Sequence, residues 1–446
     1  IFPFTDLEQT DPENGLSDGL LSGLKAEFLP RISYTNTSYE YWGRAASLIH
    51  TTLDGSRDAA LMDNVRIYYF AGSQHGPASF PPRRGIGHEK VLTMLEIDNQ
   101  AKRLMEGAGH SEDTVLPDGE AYYAARLRAQ TTTDMSADEI HELGLAEVAR
   151  IKGEMEKIKE QVEFDGTLEE FFVWVRHADQ FHLPNTDEGR AEYIAMAEGY
   201  LDGIKSQLPD YFGILPKADL EVRRVEAFRE EDGGAQHYNS GTPDGSRPGV
   251  FYAHLSDMDA MPTYELEAIA YHEGLPGHHM QISIAQELTG LPEFRGQYGH
   301  TAYLEGWALY TETLAKEMGG YEDPYSEYGQ LSAEIWRAIR LVVDTGIHSK
   351  GWTEEEAVQY FLANSSVPEA AVRSEIQRYI VWPGQATAYK IGMIEIQELR
   401  AKAQAELGDD FTMSGFHDTV LSGGSLPLPV LETRVDRWIA EVKAGS

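Results

Sequence analysis

The sequence predicts a mainly α-helical protein with a small β-sheet, on three observations. Apolar residues recur at helical spacing over much of the chain beyond residue 136; two later runs, about 219–229 and 249–255, read as strands; and one polar string, Tyr271-His-Glu-Gly-Leu-Pro-Gly-His-His-Met280, interrupts an apolar helical pattern. At 446 residues the chain can bury a large core, in two domains or in one large one.

Residues 1–88 have a different character, with turn clusters and short β-rich runs such as Val65-Arg-Ile-Tyr-Tyr-Phe70, followed by Ala71-Gly-Ser-Gln-His75. A serine nucleophile needs a strand-to-helix elbow of the form G-x-S-x-G, and Gly15-Leu-Ser17-Asp-Gly19 fits the letters. Polar Thr10-Asp-Pro-Glu-Asn14 precedes it in place of an apolar strand, so Ser17 reads as a turn residue and His75 as a loop histidine. The junction is placed near Pro81-Pro-Arg-Arg-Gly85, and 89–446 forms the second domain. There, Ser136-Ala-Asp-Glu139 is a capping box opening a helix to about Val162, with Ile140, Leu143, Val148, Ile151, Met155 and Ile158 near helical spacing. Helices are expected over about 167–176 and 187–207, then the two strands, and closing helices over about 385–407 and 428–444.

The string at 271–280 reads as a zinc site. Zinc hydrolases commonly use H-E-x-x-H, because residues four apart share a helix face and the glutamate beside the first histidine can activate water. Here the fourth position is Pro276, which cannot ligate and breaks the helix ladder. On an unbroken helix a spacing of six would point about 120° away from His272, and seven would lie about 10 Å further along. A bulge or restart at Gly277 is therefore required to return His278, or alternatively His279, toward His272. The third ligand is expected from Glu305 in Tyr303-Leu-Glu-Gly-Trp-Ala-Leu-Tyr-Thr-Glu312, where a carboxylate among apolar residues must be paired, protonated or metal-bound. Glu312, two turns on, can orient a ligating histidine, and Glu273 is the general base. Further on, Arg340, Asp344 and His348 follow at four-residue steps, so that His348 or Arg340 either binds an oxyanion or substrate carboxylate, or serves as an internal brace. Tyr389, with Tyr379 second, is the candidate hydroxyl donor to an oxyanion.

Three strings carry a resemblance: H-E-G-L-P-G-H-H-M-Q at 272–281, Y-L-E-G-W-A-L-Y at 303–310 and W-P-G-Q-A-T-A-Y-K-I-G at 382–392. From about Glu89 to the C-terminus the chain resembles the bacterial "domain of unknown function 885" family, grouped with the zincin-like metallopeptidases. The resemblance implies a mostly helical zincin-like fold with a small sheet, peptidase activity, a family motif around Tyr389 and a secreted or periplasmic location. It also implies an exposed edge strand just before the metal helix, here 249–255, whose Phe251 and Tyr252 would contact an extended peptide. The pair Gly277-His278 resembles the end of the metal motif of oligopeptidases, which favours His278. Phe2-Pro-Phe-Thr-Asp6, Ser38-Tyr-Glu-Tyr-Trp-Gly-Arg-Ala-Ala46 and Ala71–His75 resemble part of an α/β-hydrolase-like family.

Composition narrows the partners. Lys and Arg number 37 against 73 Asp and Glu, a net charge of −36, which disfavours nucleic acid and anionic membrane surfaces. Without cysteine there is no disulfide, thiolate site or thiol nucleophile, and no run reaches the roughly 20 apolar residues of a membrane span. The start, Ile1-Phe-Pro-Phe4, has neither a basic n-region nor an initiator Met, so an upstream segment is compatible with it. Nothing in the sequence sets the oligomeric state. The expectation is a hydrolase with one zinc per chain acting on peptide or small amide substrates, the alternative being a zincin-like binding protein that has lost catalysis.

Overall fold

The computed structural model describes residues 119–445 apart from 228, 231–233 and 297, together with the strand residues 9–10, 17–18, 32–37 and 65–70. The chain divides into two compact units, 1–108 and 109–446. In the first, β1 (Gln9–Thr10) pairs antiparallel with β2 (Ser17–Asp18), and β3 (Ile32–Thr37) pairs parallel with β4 (Val65–Phe70). The β-rich run Val65–Phe70 is thus a strand, as its composition predicts, and Ser17 opens a two-residue strand where a turn was expected. His75, the junction near Pro81–Gly85 and the three strings resembling an α/β-hydrolase lie outside the described residues.

The second unit is mainly helical. Helices α1 (Gly119–Thr131), α2 (Ala137–Gln161), α3 (Leu168–His177), α4 (Asp187–Lys205) and α5 (Leu208–Tyr211) precede a sheet of β5 (Leu220–Arg224), β6 (His237–Asn239) and β7 (Gly249–Ala253). Then follow α6 (Thr263–Glu273), α7 (His278–Glu287), α8 (Glu293–Gly296), α9 (Thr301–Glu317), α10 (Pro324–Lys350), α11 (Glu354–Asn364), α12 (Glu369–Val381), α13 (Ala388–Leu407), α14 (Met413–Leu421) and α15 (Leu428–Gly445). Reciprocal capping boxes at Ser136/Glu139, Thr167/Glu170 and Thr353/Glu356 fix three of the starts.

Two apolar cores form among the described residues. One gathers Phe251, Met280, Tyr303, Trp307 and Ile391; the other gathers Ile151, Phe171, Ile339, Val342 and Phe361. Helix α6 contributes Leu266 and Ala270 to the first and Tyr264 to the second, and α10 likewise divides Leu341 from Val342. The helix carrying His272 and Glu273 is therefore held from both sides.

The sheet order is β5-β7-β6, with β5 parallel and β6 antiparallel to β7. This corrects the edge-strand expectation: β7 is the middle strand, its ladder groups are used on both sides, and Phe251 is fully buried. Tyr252 is half-buried and stacks on His237, with ring centroids 5.4 Å apart, so its face is already occupied.

Helices α9 and α13 cross backbone to backbone. A Cβ on Gly392 would lie 1.8 Å from the Ala302 carbonyl oxygen, and one on Gly306 would lie 2.4 Å from the Gly392 carbonyl carbon. This crossing sets Tyr389, one turn before Gly392, near Glu305, the neighbour of Gly306. On α14, buried His417 donates from Nδ1 to the Tyr211 carbonyl (2.9 Å), which leaves Nε2 to accept from the Tyr310 hydroxyl (2.8 Å). Burial pushes the His417 pKa down to about 3.

Two outcomes are expected. Gly392→Ala should lower unfolding stability by about 3 kcal/mol in urea titrations, because backbone cannot yield to the new methyl group; an unchanged midpoint contradicts this close crossing. Since His417 stays neutral when folded, its contribution is complete above the unfolded pKa of roughly 6.5 and is lost as pH falls toward 3. The stability curve of His417→Gln should then be flatter than wild type by about 1.4 kcal/mol per pH unit between about pH 6.5 and 4.5, and parallel curves contradict it.

Candidate metal centre

The break that Pro276 imposes is a short turn between two helices. α6 ends at Glu273, the Gly274 amide still bonds the Ala270 carbonyl (2.8 Å), Leu275-Pro276-Gly277 turns the chain, and α7 starts at His278. Gly277 is obligatory there, since a Cβ would sit 2.0 Å from the His272 carbonyl oxygen. The turn is pinned by the Trp307 indole, which donates to the Pro276 carbonyl (3.0 Å) and packs edge-on against His417, at 5.7 Å between centroids.

This turn brings His278 back toward His272. The two imidazole rings lie 4.8 Å apart at 89°. Glu305 Oε2 from α9 lies 3.7 Å from His272 Nε2 and 3.4 Å from His278 Nε2, and one ligand atom from each of the three residues falls within 4.8 Å of the others. Tetrahedral bonds of roughly 2.0–2.2 Å place ligand atoms about 3.3 Å apart, so the donor set fits a single ion after small adjustments. On the far side, Glu312 Oε1 lies 2.6 Å from His272 Nδ1, fixing Nε2 as the nitrogen that faces Glu305.

Electrostatics point the same way. Burial opposes charge on His272, yet its hydrogen bonds to Glu305 and Glu312 lift its pKa to about 10. Burial would raise Glu305, but its hydrogen bonds to His272 and His278 hold it well below the usual carboxylate range. Burial raises the Glu273 pKa against the nearby histidines. Three buried or half-buried carboxylates thus surround two imidazoles, a charge balance that favours a cation between them. Both Glu312 Oε2 and His278 Nδ1 are buried without a hydrogen-bond partner among the described residues.

The other sequence candidates divide. His279 turns away: Nε2 donates to the Ala218 carbonyl (3.0 Å), which leaves Nδ1 to accept from the Tyr238 hydroxyl (3.1 Å). Tyr389 is half-buried, its ring centroid 4.6 Å from the Arg340 guanidinium carbon, and its pKa is raised by burial and then by the Glu305 charge. The ladder on α10 is an internal brace. Arg340 donates to the Tyr379 hydroxyl (2.9 Å) and Glu375 (3.0 Å), Asp344 accepts from the Gly384 amide (3.0 Å), and His348 Nε2 donates to the Tyr379 carbonyl (3.0 Å). Fully buried Tyr379 spends its own hydroxyl proton on Glu375 (2.6 Å). His348, Arg340 and Tyr379 are thus tied to one another, to Glu375 and, through Arg340, to the Tyr389 ring. Sequence reasoning missed Glu375, which carries no motif, and Arg337, whose spacing of three from Arg340 was the available signal.

Comparison with known proteins agrees with the fold. A family model described as "Bacterial protein of unknown function (DUF885)" matches residues 92–435. A solved structure of a "putative lipoprotein" from Colwellia psychrerythraea is 36% identical with a TM-score of 0.73, covering 80% of this chain and 62% of that one. A "putative lipoprotein of unknown function" from Shewanella oneidensis, 21% identical with a TM-score of 0.61 over 77% of this chain and 63% of that one, shares the fold. The chain thus spans about three fifths of the length of the solved structures it matches. A 63-residue segment is 41% identical to cyanophycin synthetases from Trichormus variabilis and Nostoc sp., covering 14% of this chain and 7% of those proteins, too small a share to carry their activity across. With His272, Glu273, His278, Glu305, Glu312 and Tyr389 all inside the matched region, the chain belongs to the DUF885 family of bacterial proteins.

Proposed function

We propose that this protein is a zinc-dependent hydrolase of peptide or related amide bonds, on a zincin-like scaffold. The observation that carries the reading is the convergence of His272, His278 and Glu305, with buried Glu273 adjacent in sequence to the first of them. Two nitrogens and one carboxylate oxygen, leaving a fourth position open, is the donor set of catalytic rather than structural zinc. Zinc, when bound, supplies a Lewis acid that polarises the scissile carbonyl and eases deprotonation of water.

The chain's own groups do the remaining work. Glu273 accepts the proton of the attacking water and later delivers it to the departing nitrogen; burial, by raising its pKa, makes it the stronger base. Glu312 holds the His272 ring and its tautomer through Nδ1. Tyr389, kept protonated by burial and by the Glu305 charge, donates its hydroxyl to the oxygen that gains charge in the tetrahedral state. An extracytoplasmic location belongs to the same proposal, supported by the lipoprotein description of the 36% identical relative. No helix among the described residues is long and apolar enough to cross a membrane.

Two measurements test this reading. Glu273→Gln should keep one zinc per chain by elemental analysis and lose roughly 10³-fold in turnover of a peptide pool, while a variant working at the wild-type rate removes the general base. Glu312→Gln should weaken zinc about 10- to 100-fold in chelator competition, and unchanged affinity contradicts its orienting role.

A further inference from the structure

We propose that the Arg337 guanidinium receives a carboxylate of the substrate, so that the centre prefers substrates bearing a negative charge close to the scissile bond. The inference deepens the hydrolase reading and rests on it.

On α10, Arg337 and Arg340 lie one turn apart, and their guanidinium carbons stand 5.6 and 5.5 Å from the Trp336 ring. Together with Arg378 they form a cationic wall on a protein of net charge −36. Glu375 serves two of the three. It takes Arg340 Nη2 at 3.0 Å, and Arg378 through Nε (3.0 Å) and Nη2 (2.9 Å). Arg337 has no such partner. Its Nη1 bonds the Ala333 carbonyl of its own helix (3.2 Å), its buried Nε has no hydrogen-bond partner, and no carboxylate among the described residues forms an ion pair with it.

Where this cation sits follows from the packing of α10. Its helix packs directly on α6, the helix that ends at His272 and Glu273: a Cβ on Gly329 would lie 1.7 Å from the Tyr264 carbonyl oxygen, and the Ser332 hydroxyl, just over one turn before Arg337, bonds Glu265 (3.3 Å). Glu265 does not neutralise it: that carboxyl accepts from the Ser332 hydroxyl (3.3 Å), and burial pushes its pKa up to about 7. An unpaired guanidinium in a half-buried position is costly unless an anion joins it, and planar, two-pronged recognition of carboxylate is what arginine does best. The carboxylate can be the C-terminus of a peptide or an acidic side chain. Arg340 is less suited, since its charge is already shared with Glu375 under the Tyr389 ring.

The test compares three versions of one peptide: free C-terminal acid, C-terminal amide, and amide with a glutamate beside the scissile bond. Zinc-loaded wild type should favour at least one anionic version over the neutral amide by roughly 10- to 100-fold in kcat/KM. A preference for the free acid identifies the C-terminus, and a preference for the internal glutamate identifies the side chain. Arg337→Gln should erase the preference with zinc content unchanged, and Arg337→Lys should retain part of it. Equal handling by wild type, or a preference surviving in Arg337→Gln, overturns the proposal. Calorimetric titration of the same peptides into zinc-loaded Glu273→Gln, with and without Arg337→Gln, separates the two readings. If nothing is hydrolysed the hydrolase reading fails, yet tighter binding of an anionic peptide that depends on Arg337 still supports the carboxylate site. Indifferent or absent binding refutes it.

Discussion

The geometry of the centre depends on one interrupted helix. His278 lies six positions after His272, a spacing that on a regular helix sends the side chains to different faces. The turn at 275–277 cancels that offset, and it exists because Pro276 cannot continue the ladder, Gly277 has no Cβ to strike the His272 carbonyl, and Trp307 holds the Pro276 carbonyl. Trp307 belongs to α9, the helix that also supplies Glu305 and Glu312. The contact that pins the turn thus also sets the register of the third ligand against the first two.

Around this geometry the charges are arranged unequally. Glu273, Glu305 and Glu312 crowd two imidazoles on one side, so the centre itself lacks positive charge. The opposite wall, built from α10 and α12, has a surplus, with Arg340 and Arg378 sharing Glu375 and Arg337 without a carboxylate partner among the described residues. A cation at the first and an anion at the second would satisfy both. Tyr389 stands between them, above Arg340 and within the field of Glu305, a position fixed by the glycine-to-glycine crossing of α9 and α13.

Much of this was legible in the sequence where a local rule applied. A capping box and apolar periodicity gave α2, and helical patterning gave α3 and α4, to within two residues of their observed ends, and the broken motif with its distant glutamate gave the cluster of His272, His278 and Glu305 with Glu312 behind it. The failures share a cause, in that strand order and side-chain facing are set by tertiary partners. Nothing local distinguishes a middle strand from an edge, so Phe251 was assigned to substrate although β5 and β6 flank β7 and its ring lies in the core. Arg340, Asp344 and His348 show a helix face correctly, but which neighbours that face meets, Tyr379 and Gly384, is decided far along the chain.

The most direct test of the central claim is a crystal structure of the zinc-loaded protein with anomalous data at the zinc edge. One peak bonded by His272 Nε2, His278 Nε2 and Glu305 at roughly 2.0–2.2 Å is the predicted result. A peak at His279 or elsewhere, or no peak after loading, contradicts it.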